Sequence, residues 1–92
     1  MGKYEGHYTS REQEVLDSPD YYLIRCFQQK KGWTESLPMT AKKTLDGFQA
    51  IRAKFPTMRM SLYAARKLDD EIRLANVTPA YLSALVELKA AQ

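Results

Sequence analysis

The chain has 92 residues, 45% of them hydrophobic and ten aromatic, with a formal charge of +3. This is enough for one domain with one modest core, and too ordinary a composition for a disordered chain. A single cysteine, Cys26, excludes an internal disulfide; one cysteine with one histidine, His7, falls short of the usual zinc ligand set; and four glycines leave no phosphate-cradling loop.

Residues 1–8 carry two glycines and no apolar periodicity, which predicts an N-terminal arm preceding a helical domain over 9–92. Ser10 and Gln13 have capping-box spacing and predict a short helix from about 11 to 16. Ser18-Pro19 suits the start of a second helix, running to about Lys31 and stopping at Gly32, with Tyr22, Leu23, Cys26 and Phe27 on its inner stripe. Residues 32–39 read as a loop, because Leu37-Pro38 disfavours helix and Trp33 can pack back on the preceding helix end. Thr40 opens a third helix from Ala41 to about Phe55, where Ala41, Leu45, Phe48, Ile51 and Phe55 recur at steps of three and four.

Pro56-Thr57 then predicts the start of the longest helix, about Met58 to Ala75, with Met58, Leu62, Ala65, Leu68 and Ile72 inward. Thr78-Pro79 opens a last helix with Tyr81, Leu82, Leu85 and Leu88 inward. No internal repeat and no strand pattern stands out. The expected fold is therefore all-α, a single-domain bundle of about five helices with the longest packed centrally.

Charge is distributed unevenly along the chain. Lys3 and Arg11 against Glu5, Glu12, Glu14, Asp17 and Asp20 leave residues 1–20 acidic. Arg25, Lys30, Lys31, Lys42, Lys43, Arg52, Lys54 and Arg59 against Glu35 and Asp46 make 21–60 strongly basic. A basic middle suits an anionic partner, nucleic acid or an acidic protein surface.

Three features qualify as contact surfaces. Lys42, Lys43 and Lys54 with Gly47 and Ala50 lie opposite the apolar stripe of the third helix. Arg59, Arg66 and Arg73 recur every seven residues and would align on a helix, where arginines clamp phosphates or carboxylates. Trp33 and Tyr21, near Lys30 and Lys31, have the chemistry of binding anchors. The run Asp69-Asp70-Glu71 reads as a solvated helix face paired with Arg66 and Arg73, and Cys26 as a packing residue.

Thr9-Ser10-Arg11-Glu12-Gln13-Glu14-Val15-Leu16 resembles the opening of LuxR-type helix-turn-helix domains over eight residues. The glycine turn and recognition helix that would follow in that family are replaced here by Asp17-Ser18-Pro19, so the string is read as a capped helix start.

These residues predict no catalytic centre, metal or cofactor. The expected function is that of a non-enzymatic binding protein that docks on a protein or nucleoprotein partner and modulates or inhibits it. Small, basic proteins without evident chemistry occur among phage and mobile-element accessory proteins of that kind. The alternative is a regulatory protein that contacts the phosphate backbone of DNA or RNA through its basic middle, and a third reading is a subunit of a homo-oligomer. No small-molecule substrate and no membrane association are expected, since no apolar run approaches the roughly 20 residues a bilayer span needs. The polar start of the chain, without a secretory signal, points to a soluble, cytoplasmic protein.

Overall fold

A computed structural model describes residues 8–90. The elements in chain order are α1 (Ser10–Asp17), β1 (Tyr21–Gln28), β2 (Gly32–Glu35), α2 (Ala41–Lys54), β3 (Met60–Leu68), β4 (Glu71–Val77) and α3 (Pro79–Ala90). The four strands form one antiparallel sheet in the order β2-β1-β3-β4. The protein is thus an α/β fold with three described helices, which overturns the expected all-α bundle. The arm expected over 1–8 falls outside the described residues except for Tyr8, which packs against the core.

Three of the expected helices are present. Thr9, one residue earlier than expected, caps α1: its Oγ1 accepts from the Glu12 N–H at 3.1 Å, and Glu12 Oε1 accepts from the Thr9 N–H at 3.0 Å. Thr40 caps α2 by accepting from the Lys43 N–H, and the Thr78 hydroxyl accepts from the Tyr81 N–H at the start of α3. After α1 the chain enters a strand, so the helix-turn-helix likeness ends with that helix.

The expected second helix is instead β1 and the turn of a hairpin. Tyr22, Ile24 and Cys26 point to one side of the sheet, and Tyr21, Leu23 and Phe27 to the other. Both faces of β1 are apolar, so the period-two alternation is hidden, and the pairs Tyr22-Leu23 and Cys26-Phe27 mimic helical spacing. Gly32 does not terminate a helix; it opens β2 as the left-handed residue (φ 74) after the loop Gln29-Lys30-Lys31. A three-residue hairpin loop closes this way, with glycine where L side chains are strained. Replacing Gly32 by alanine is expected to cost about 1–2 kcal/mol from backbone strain alone, since nothing lies within 4 Å of the added Cβ. Urea unfolding checks this, with asparagine at the same position costing less.

Residues 36–39 continue along β1, where Tyr22 and Met39 exchange backbone hydrogen bonds of 2.8 and 2.9 Å and Ser36 Oγ accepts from the Ile24 N–H. Leu37 is pushed outward, 82% exposed.

The expected longest helix is the second hairpin, β3–β4. Leu68 pairs with Glu71, and Asp69 takes the left-handed conformation (φ 56) that a two-residue loop requires and that aspartate tolerates. The acidic run read as a helix face is therefore a turn, Asp69-Asp70, followed by the first residue of β4, Glu71. Met60, Ala64, Ala65, Arg66, Lys67 and Leu68 are good helix formers, and the pairing of β3 between β1 and β4 overrides that preference.

All three helices lie on one face of the sheet. Val15 and Leu16 from α1, Ala41 and Leu45 from α2 and Leu82 from α3 bury against Tyr22, Ile24, Leu62, Ala64, Ala75 and Val77. Gly47, expected on the outer side of its helix, faces the sheet: a Cβ there would meet Ile24 Cδ1 at 3.4 Å. Phe55, Ile72 and Leu88, expected inside, are 46%, 54% and 61% exposed. Among the described residues no helix is long and apolar enough to cross a membrane.

The chain after α1 is a tandem of two ββα units, β1-β2-α2 and β3-β4-α3, joined through the central β1–β3 pair. The two halves share topology without sharing a repeated sequence, because they place different residues on equivalent strands.

Candidate functional site: the helix-free face of the sheet

Alternation fixes which side chains occupy the face that the helices leave bare. On β1 these are Tyr21, Leu23, Arg25 and Phe27; on β2, Trp33 and Glu35; on β3, Ser61, Tyr63, Ala65 and Lys67; on β4, Ile72, Leu74 and Asn76. Arg59 extends the β3 series by one step, its carbonyl accepting from the Phe27 N–H. Leu23 lies across from Tyr63 and between Tyr21 and Arg25, and is only 4% exposed. The face thus has a closed apolar centre ringed by aromatic and charged groups.

Two stacks organise it. At the end nearest the β1–β2 turn, the Phe27 and Trp33 rings meet edge to face, 5.4 Å between centroids. The Arg59 guanidinium sits over both, 5.4 Å from Phe27 and 5.6 Å from Trp33. Farther along, the Arg25 guanidinium lies 4.7 Å above the Tyr63 ring and pairs with Glu35 at 2.6 Å. Stacking on a ring holds an arginine in place at about 0.5–1 kcal/mol. Among the described residues Arg59, Lys30 and Lys31 form no ion pair with a carboxylate, whereas the one acid on this face, Glu35, is taken by Arg25. This end of the face is therefore electropositive and aromatic.

The residues singled out from the sequence fall into three groups. Lys30, Lys31, Trp33 and Arg59 come together, with the two lysines in the hairpin turn adjoining the Phe27–Trp33 stack. Trp33 does not close a helix end; it stands on the open face, 48% exposed, and Tyr21 shares that face. Lys42, Lys43 and Lys54 belong to α2, on the opposite side of the sheet, where Lys42 pairs with Asp46 at 2.9 Å and the Lys54 ammonium lies 5.7 Å from the Phe55 ring.

Arg66 and Arg73 do not align with Arg59, because no helix joins them. They are cross-strand partners on the helix-covered face. Arg66 donates to the Glu14 carbonyl of α1 at 2.9 Å, and Arg73 pairs with Glu71 at 2.6 Å. That contact draws the Glu71 carboxyl below its ordinary range, through the Arg73 hydrogen bond first and its charge second.

Phe27, Arg25 and Tyr63 belong to the face and were not expected there. Their signal was present in the alternation of Tyr21, Leu23, Arg25 and Phe27, which is legible only once residues 21–28 are taken as a strand.

Cys26 lies on the helix-covered face, partly buried. Burial pushes its thiol pKa up, against an opposing pull from Arg52, which keeps it protonated at neutral pH and a poor nucleophile. His7 is outside the described residues. Among the described residues no three His, Cys, Asp or Glu side chains are placed to share a metal ion.

No protein-family model, curated protein or solved structure matches this chain.

Proposed function

We propose that this is a non-enzymatic binding protein that docks on a macromolecular partner through the helix-free face of its sheet and thereby modulates that partner. One observation carries the reading: Trp33, Phe27, Arg59, Arg25 and Tyr63 occupy a face that none of the described helices covers. Tryptophan, tyrosine and arginine are the residues that dominate binding hot spots, and here they are held in place by one another. Their contact costs less entropy than ordering free side chains would. The cytoplasm is the compartment we assign, supported by a free thiol at Cys26.

The experiment is affinity capture from a host lysate with tagged protein, comparing wild type, Trp33→Ala/Arg59→Glu, and Lys42→Glu/Lys43→Glu/Lys54→Glu. The docking reading expects the partner to be retained by the α2 variant and lost, at least tenfold in yield, with the sheet-face variant. Equal capture by the sheet-face variant would move the interface elsewhere on the molecule.

A further inference from the structure

We infer that the occupant of the helix-free face is a single-stranded polynucleotide, with bases stacked on the Trp33, Phe27 and Tyr63 side and phosphates held by Lys30, Lys31 and Arg59. The inference rests on the docking reading above and names its partner.

Three observations favour this chemistry. First, aromatic rings stand beside guanidinium planes on the same face: Arg59 over Phe27 and Trp33, Arg25 over Tyr63. Nucleobases stack on both kinds of plane, and the stacking tolerates any base sequence because every base offers a π face. Second, the charge is complementary. Lys30, Lys31 and Arg59 have no carboxylate partner among the described residues; Arg59 lies over the stacked rings, and the two lysines belong to the turn that joins the strands carrying Phe27 and Trp33. A strand whose bases lie on the rings has its phosphates within reach of that rim. Third, the spacing suits an extended strand. Trp33 pairs with Phe27, and Tyr63 pairs with Leu23, so the two stacks are separated by four residues along β1, about 13 Å at the usual strand rise. A duplex keeps its bases within the stack and cannot use such a platform.

The test uses fluorescein-labelled oligo(U) and oligo(dT) twelve nucleotides long, with a duplex of equal length. Trp33 is the only tryptophan in the chain, so its emission reports on the site directly. The expected result is an anisotropy increase with either single strand, weaker binding of the duplex, and quenching of Trp33 emission at saturation. Trp33→Ala should weaken binding roughly tenfold, as expected for the loss of one stacked base. Lys30→Glu/Lys31→Glu should flatten the slope of log affinity against log salt by about 1.4, the share of two released phosphate contacts.

Three results would overturn the inference: no binding of either strand at low salt, duplex bound as tightly as single strands, or binding that leaves Trp33 emission and the Trp33→Ala affinity unchanged. If the oligonucleotides fail while the lysate capture remains dependent on Trp33 and resists nuclease, the face docks a protein; the polynucleotide inference falls and the docking reading stands.

Discussion

Replacing Leu62 by alanine should lower unfolding stability by about 3–4 kcal/mol, a large part of what a domain of this size possesses. Leu62 is 1% exposed and lies near the start of β3, with Ile24 opposite it on one side and Val77 on the other. Leu82 of α3 and Leu45 of α2 belong to the same cluster. Removing its side chain leaves a cavity bounded by both hairpins and by helices that cannot all move inward together. Urea unfolding followed by circular dichroism measures the loss. Leu88→Ala, on the exposed side of α3, serves as the comparison and should change stability by less than about 0.5 kcal/mol. A loss at Leu62 no larger than that at Leu88 would contradict the packing described.

The second large effect is on pH. Tyr22 is 5% exposed, and its hydroxyl pKa is pushed up to about 12, by burial first and by Tyr81 second. In the unfolded chain the same group ionises near its ordinary value of 10. Below pH 10 both states keep the proton, and the contribution to stability is complete. Between pH 10 and 12 the unfolded chain ionises first and is favoured, so stability falls by about 2–3 kcal/mol and is lost fully above the folded value. Tyr22→Phe should remove most of that decline while leaving stability near pH 7 within about 1 kcal/mol of wild type. Tyr81, raised in the same direction by burial, accounts for a residual slope. Denaturant midpoints at pH 9, 10 and 11 measure the difference; an equal decline in the phenylalanine variant would assign it to other groups.

How far the residues reveal this fold depends on whether their signals are local. The three described helices are legible because each follows a hydroxyl-bearing start signal, read at Ser10 where Thr9 makes the cap and correctly at Thr40 and Thr78, and α2 adds an apolar stripe of Ala41, Leu45, Phe48 and Ile51. The strands were not, for a reason that differs between hairpins. In β1 both faces are apolar, so alternation is masked. In β3 the residues prefer helix, and only the neighbours supplied by β1 and β4 make the extended state the better one.

Turn signals are ambiguous in the sequence: Gly32 ends a helix or closes a hairpin with the same backbone conformation, and Asp69-Asp70 decorates a helix or makes a two-residue loop. The site followed the fold. Trp33 and Arg59 stand out by their chemistry and meet on the helix-free face, with Lys30 and Lys31 in the adjoining turn. The grouping of Arg59 with Arg66 and Arg73 depended on a helical period and dissolves once those residues lie on strands.

The tandem layout also has a consequence for how the chain takes shape during synthesis. Each ββα unit joins neighbours in sequence and closes cheaply, while the β1–β3 seam must bridge a long loop, shortest between Cys26 and Met60 and longest between Tyr21 and Ala65. The earliest of the described helices packs on the later of the two ββα units: α1 rests on β3 and β4, and Arg66 reaches its Glu14 carbonyl only when β3 is in place. During N-to-C synthesis the N-terminal helix therefore waits, with Val15 and Leu16 uncovered, until the second hairpin emerges. Its docking is a late event that requires β3 and β4 to be in place.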